Sequence, residues 1–225
     1  MSSVGSAAPR PFFLRHRVFA LVPSVLAAAA VDRIRAAVFA LALVPLARLF
    51  VLGFGDRLGA NPVEFVMRSL GTWTLVMLCL TLSITPLRWL TGWPWLIRLR
   101  RMLGLFCFFY VALHLTTYIW LDQWFDLAAI GKDIAKRPYI TAGFAAFVLL
   151  IPLAVTSTNA MVRRLGGRNW QRLHRLVYVI AALAILHYWW HKAGKNDFSQ
   201  VSIYAGVVAG LFAARLIHWA RNRAR

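Results

Sequence analysis

Six apolar runs, each close to twenty residues long, leave this chain few folds to choose from. They extend over about Ala36–Phe54, Ser69–Leu87, Arg101–Leu121, Tyr139–Ser157, Trp170–His191 and Val201–Trp219. A run of about 18 apolar residues can cross the ~30 Å hydrocarbon core as a helix. No water is present there to pair with the backbone, so a single span must satisfy its own N–H and C=O groups, which a helix does. Only 15% of the residues are charged, against about 25% in a soluble domain. The expected fold is an all-α membrane protein, a six-helix transmembrane bundle. No loop is long enough for a soluble catalytic domain, and no internal repeat is visible.

Charge sets the expected orientation. The chain carries 26 Lys+Arg against 7 Asp+Glu. Arg10, Arg15, Arg17, Arg33, Arg35, Arg88, Arg98, Arg100, Arg101, Arg163, Arg164, Arg168, Arg172, Arg175, Arg221, Arg223 and Arg225 all fall on one side, seventeen in number. The other side receives seven: Arg57, Arg68, Lys132, Lys136, Arg137, Lys192 and Lys195, with every acid except Asp32. Basic loops stay in the cytoplasm, so both termini are expected there. The excess charge is matched to anionic lipid, and with no soluble basic domain to carry phosphate contacts, nucleic acid is not expected as a partner. Residues 1–35 form a basic extension with a short apolar segment, Val18–Val31, interrupted by Pro23. It has the outline of a secretory signal. Cleavage would place the new N-terminus outside, against the charge count, so an interfacial segment is expected instead. Residues 36–220 make up the membrane domain and 221–225 a basic tail.

Chemistry rests on histidine. Cys79 and Cys107 lie inside apolar runs as small hydrophobes, and no CxxC or CxxCH motif supports an iron–sulfur centre or a covalent haem. His16 and His218 lie in basic terminal regions, and His191 follows two tryptophans at a membrane boundary. His114, His174 and His187 sit within or at the ends of spans, where a polar ring is costly and usually functional. His114 and His187 fall at similar depth in the outer half, in spans three and five. Two such imidazoles can take one haem iron from opposite faces. The alternative is that each ring hydrogen-bonds a neighbouring helix. His174 is thirteen residues before His187, ~20 Å along an ideal helix and ~140° round it. That distance suits two redox centres stacked across the membrane. The rotation requires a π-bulge, a curve, or different neighbours for the two rings. At the depth of His174, span three offers Arg100, Arg101 and Met102. Met102 could ligate, as in His/Met cytochromes, or simply pack. The Thr156–Thr158 cluster has no carboxylate beside it to form a nucleophile system.

The order of motifs carries a resemblance. ITPLR (Ile84–Arg88), RRMLGL (Arg100–Leu105), ALH (Ala112–His114), RPYITAG (Arg137–Gly143), TST (Thr156–Thr158), RLG (Arg164–Gly166) and W-x-x-LH-x-x-x-Y (Trp170–Tyr178) occur in sequence. Together they resemble the MsrQ (YedZ) family of the ferric-reductase-like transmembrane superfamily, over about residues 36–220. The resemblance implies a haem b electron-transfer subunit of the bacterial inner membrane. It would pass electrons from the quinone pool to a periplasmic molybdopterin enzyme, MsrP, which repairs oxidised methionines. It implies His114, His174 and His187 as axial ligands of one or two haems, and FMN is also associated with the family. Ferric reductases and NADPH oxidases carry a fourth histidine early in span three, where this chain has Arg100 and Arg101. No site for sulfoxide reduction itself is visible in this chain. Two other readings are a transmembrane ferric reductase acting on its own substrate, and a haem-free transporter or assembly protein. Few carboxylates and few broken helices in the spans speak against transport. The outer loops Arg57–Arg68 and Asp122–Arg137 are the expected docking surfaces.

Overall fold

The first span starts earlier than its hydropathy suggests. In the computed structural model, which describes residues 28–194 and 196–224, helix α1 covers Ala28–Phe54. Asp32, Arg33 and Arg35, expected in a separate extension, continue this helix, with Arg35 paired to Asp32 one turn away at 3.2 Å. The rest of the apolar segment Val18–Val31, and His16 with it, lies outside the described residues. The chain continues as α2 (Pro62–Thr91), α3 (Ile97–Thr117), α4 (Leu127–Lys136), α5 (Pro138–Val155), α6 (Asn159–Leu165), α7 (Gly167–His174), α8 (Leu176–Ala193) and α9 (Ser199–Arg223). A 3-10 turn, Pro94–Leu96, leads into α3, and a π-helical turn, Tyr118–Asp122, ends it. Among the described residues six stretches are long and apolar enough to cross a membrane, with α7 and α8 together making the fifth. The expected six-helix all-α bundle is therefore what the chain forms, with no strand among the described residues.

Local chemistry accounts for the boundaries. Asn61 caps α2 by accepting from the Glu64 N–H at 3.1 Å, and Pro62 follows at the first helical position, where no N–H is needed. Gly92 closes α2 in a left-handed conformation, φ +74°. Asp126 caps α4 and Thr158 caps α6. Neither short helix has enough apolar length to announce itself in hydropathy, and both sit in loops. Ser157 donates to the Leu153 carbonyl and Thr156 to that of Pro152. The TST cluster is thus helix-terminating chemistry.

The expected single helix over Trp170–His191 is broken. Arg175 separates α7 from α8; its N–H is shared between the Gln171 and Arg172 carbonyls, both at 3.2 Å. The Tyr178 N–H then bonds Arg175 three residues back. This tightening ends the ideal-helix rotation between His174 and His187. The π turn lies in span three, not in span five.

Within the bundle α2 lies along α3 and α5 along α8, the two most extensively packed pairs; α9 leans on α2 and α8, and α1 on α2 and α3. The core joins Leu70, Leu78, Leu82, Leu103, Phe106, Cys107 and Leu150, among others. Cys107 is buried and Cys79 half-buried, both as free thiols, matching their reading as small hydrophobes. Tyr110 is fully buried and donates from its hydroxyl to the Ala42 carbonyl at 2.6 Å, tying α1 to α3. In a bilayer such an interhelical bond adds to packing, because lipid itself supplies no partner.

Two arginines, Arg48 and Arg215, lie within spans and so fall outside the count of loop charges. Arg215 of α9 has a structural explanation. Pro86 lacks the N–H that would bond the Leu82 carbonyl in an unbroken α2. The Arg215 guanidinium donates to that carbonyl instead, and also lies 5.5 Å from the Tyr178 ring. Freed backbone groups in membrane helices need this kind of replacement. Arg215→Leu is expected to destabilise the protein by about 1–3 kcal/mol, the cost of an orphaned carbonyl. The cost should shrink in a Pro86→Ala background, where the N–H is restored. Melting in detergent measures both, and equal losses in the two backgrounds would refute the pairing.

Candidate functional site

His114 and His187 come together. Their ring centroids are 6.3 Å apart and the ring planes meet at 79°. His114 projects from α3, the partner of α2; His187 projects from α8, the partner of α5. The site therefore lies where the two helix pairs face each other. Each ring is held at Nδ1. His114 donates from Nδ1 to the Met67 carbonyl of α2 at 2.9 Å, and His187 from Nδ1 to the Tyr139 carbonyl of α5 at 2.6 Å. A carbonyl can only accept, so both rings carry their proton on Nδ1 and leave Nε2 as a lone-pair donor. Metal-ligating histidines are typically oriented this way, by a hydrogen bond from the nitrogen that does not ligate.

The separation can be checked against a metal. A metal–imidazole bond of about 2 Å, added to roughly 1 Å from the ring nitrogen to its centroid, puts two trans imidazoles about 6 Å apart. The observed spacing matches. Among the described residues no group of three or more His, Cys, Asp or Glu could enclose an ion, so a zinc-type cage is not what these two rings form. Two histidines would suit an iron whose other ligands come from a macrocycle, so His114 and His187 are residues that would hold a haem.

His174 stands apart from that pair. It ends α7, donates from Nδ1 to the Trp170 carbonyl at 3.0 Å, and stacks on the Trp170 ring at 3.8 Å. Trp170 in turn donates from its indole N–H to the Thr156 carbonyl at 2.9 Å, anchoring α7 to the end of α5. Nε2 of His174 is buried with no hydrogen-bond partner. Among the described residues no second histidine ring is paired with it. Arg100 is the charged group nearest in effect, and Arg100 in turn interacts with Tyr178 and Arg215. Met102 is half-buried and packs on the apolar core. Arg101 is engaged elsewhere, donating to Asn159 at 2.7 Å. His218 stacks on Trp89 at 3.9 Å, and His191 lies 5.6 Å from Tyr139 by ring centroids.

The end of the bundle nearer His114 and His187 is closed by α4. The Tyr118 hydroxyl donates to Asp133 at 3.0 Å, and Arg137 pairs with the same carboxylate at 3.2 Å. The Thr141 hydroxyl donates to the Ile134 carbonyl. Thus α4 is fastened to the ends of both α3 and α5. Just before it, Trp124 and Phe125 adopt left-handed backbone at φ +48° and +60°, with 76% and 61% of their surface exposed. Such a conformation is strained for bulky residues and recurs at functional surfaces. On the same side a cavity of about 540 Å³ is lined by Arg48, Asn61, Glu64, Arg68, Trp73 and Gln200, among others. Arg48 lies 6.0 Å from the Phe65 ring. An arginine six residues inside the end of the apolar run Ala36–Phe54 was the signal available for it.

Comparison with known proteins places the chain. The profile of the ferric reductase like transmembrane component matches residues 70–185. A protein of Ralstonia nicotianae named protein-methionine-sulfoxide reductase heme-binding subunit MsrQ is 63% identical over 205 residues, 91% of this chain and 94% of that protein. Proteins of the same name are 62% identical in Herminiimonas arsenicoxydans, over 83% of this chain and 85% of theirs, and 53% identical in Rhodospirillum rubrum, over 85% and 92%. No solved structure matches. Identity this high over almost the whole length of its relatives means that the chain belongs to the MsrQ family of ferric-reductase-like transmembrane proteins.

Proposed function

We propose that this protein is a haem b electron-transfer subunit of the bacterial inner membrane, with both termini cytoplasmic. It delivers electrons from the quinol pool to MsrP, a periplasmic molybdopterin methionine sulfoxide reductase. The observation that carries the reading is the pair His114 and His187, ring centroids 6.3 Å apart, each with Nδ1 bound to a helix carbonyl so that Nε2 is the lone-pair nitrogen. The relatives' printed names, as heme-binding subunits of a methionine sulfoxide reductase, support it. Held between these rings, a haem supplies one-electron carriage between ferric and ferrous iron. The chain's own residues do the rest. Met67 and Tyr139 fix the tautomer of each ring, the core around Tyr110 keeps the helices from shifting, and apolar spans exclude water from the site. His174, with its open Nε2 near Arg100, is the residue for a second, inner centre, where a further haem or an FMN would be held. On the outer side, the α4 region with Asp122, Asp126, Trp124 and Phe125 is the proposed docking surface for MsrP, with the loop Arg57–Arg68 beside it.

Reconstitution tests the whole reading. Purified protein is expected to show a low-spin b-type spectrum and, in proteoliposomes with quinol, to reduce MsrP added at the outer face only. Reduction of ferric chelates without MsrP would favour the ferric reductase reading. Protein that neither contains nor takes up haem would return the haem-free reading.

A further inference from the structure

The two axial histidines are seated by the same device. His114 rests against Gly71 of α2, where a Cβ would fall 3.2 Å from its Cε1 and 3.3 Å from its Nδ1. His187 rests against Gly143 of α5, where a Cβ would fall 2.7 Å from Nδ1, 3.0 Å from Cε1 and 3.2 Å from Cγ. The carbonyls that receive the two Nδ1 protons belong to Met67 and Tyr139. Each of these stands four residues before its glycine.

That offset has a physical reason. In an α-helix the carbonyl of one residue accepts the N–H of the residue four further on. Its second lone pair can take a bond from a neighbouring helix only if the approach is open. The side chain at the fourth position stands beside that approach. With a glycine there, an imidazole can lie flat against the helix and reach the oxygen. With any Cβ there, the ring and the Cβ contest the same space. Other helical glycines of this chain do no such work: Gly131, Gly206 and Gly210 have nothing within 4 Å, and Gly104 meets only Thr81 at an ordinary 3.7 Å.

We infer that Gly71 and Gly143 are positioning residues for the axial histidines, each opening one helix carbonyl so that it can set the tautomer and pose of the ring. This rests on the haem reading proposed above and deepens it. The two sites need not be equal. At Gly143 the Cβ would be too close for any real contact, whereas at Gly71 a shift of a few tenths of an ångström suffices, so the larger effect belongs to Gly143.

Loaded Gly143→Ala protein is expected to retain haem at least about 10-fold less firmly, within the range for lost outer-shell support of a metal ligand. Whatever haem stays should show a shifted midpoint potential and altered low-spin electron paramagnetic resonance signals. Gly71→Ala should move the same readouts less, and Gly210→Ala not at all. Alanine favours helix over glycine, so any loss of stability cannot come from the backbone. A cycle in haem-free protein guards against general misfolding: Gly143→Ala should lower the melting temperature, whereas adding it to His187→Ala should not, because the contested ring is gone. Unchanged potential, haem retention and resonance signals in Gly143→Ala, or equal melting losses with and without His187, would overturn the inference. Wild-type protein that takes up no haem would instead sink the haem reading, while the haem-free cycle would still report on the ring and its glycine.

Discussion

Removing either imidazole of the His114–His187 pair is expected to abolish the low-spin b-type spectrum. His114→Ala and His187→Ala each leave one imidazole without its partner across the 6.3 Å pair. Lost outer-shell partners of a metal ligand cost about 10–100-fold in affinity, and losing the ligand itself should cost at least the upper figure. The iron that remains would be high-spin. Because each ring occupies a space bounded by glycine and backbone, free imidazole should enter the vacated site and restore the low-spin bands. A core residue whose loss merely loosened the bundle would not be rescued this way. His218→Ala serves as the control, since that ring stacks on Trp89 outside the pair. Low-spin spectra that persist in both single variants would exclude these histidines as the axial set.

Much of this site can be read from the chain alone, and the reason is geometric. Span length counts residues at 1.5 Å each, so the matched depth of His114 and His187 follows from counting inward from the ends of their spans. What counting cannot supply is rotation. The interruption at Arg175 involves no proline or glycine; beside it Trp170 is held by the Thr156 carbonyl and stacks on His174. A uniform apolar pattern through Leu176–Leu186 gives no hint of it. The helices α4 and α6 were equally invisible, being short and capped by single polar side chains, Asp126 and Thr158.

The resemblance motifs also gain a physical content that spelling does not carry. In RPYITAG, Arg137 pairs with Asp133, Pro138 opens α5, the Tyr139 carbonyl receives His187, Thr141 holds Ile134, and Gly143 makes room for the ring. In ITPLR, Pro86 frees the carbonyl that Arg215 satisfies from 133 residues away. An intramembrane arginine would ordinarily be read as a functional group. Here a proline on another helix explains it, and no pattern within either helix links the two.

His174 yields the second large effect, and its size should depend on loading. In haem-free protein its Nε2 is a buried lone pair without a donor. His174→Phe removes that nitrogen together with the Nδ1 bond to the Trp170 carbonyl, two changes that oppose each other, so it should melt close to wild type. The outer pair is thirteen residues on, beyond the break at Arg175, ~20 Å away if the rise is close to helical. Sites that far apart with no shared partner behave independently. The outer low-spin spectrum should therefore survive in His174→Phe. Electron entry should not: tunnelling falls exponentially with distance, and without an inner centre the gap to the outer one must be crossed at once. Reduction by quinol is expected to slow at least about 10-fold, a barrier change of roughly 1.4 kcal/mol or more. Loaded wild-type protein should also gain thermal stability that the loaded variant lacks, since a ligand bound only to the native state raises its stability. Stopped-flow reduction and melting of both forms measure these effects together. Unaltered reduction kinetics in His174→Phe would remove His174 from the electron path and leave its open nitrogen to be explained as packing alone.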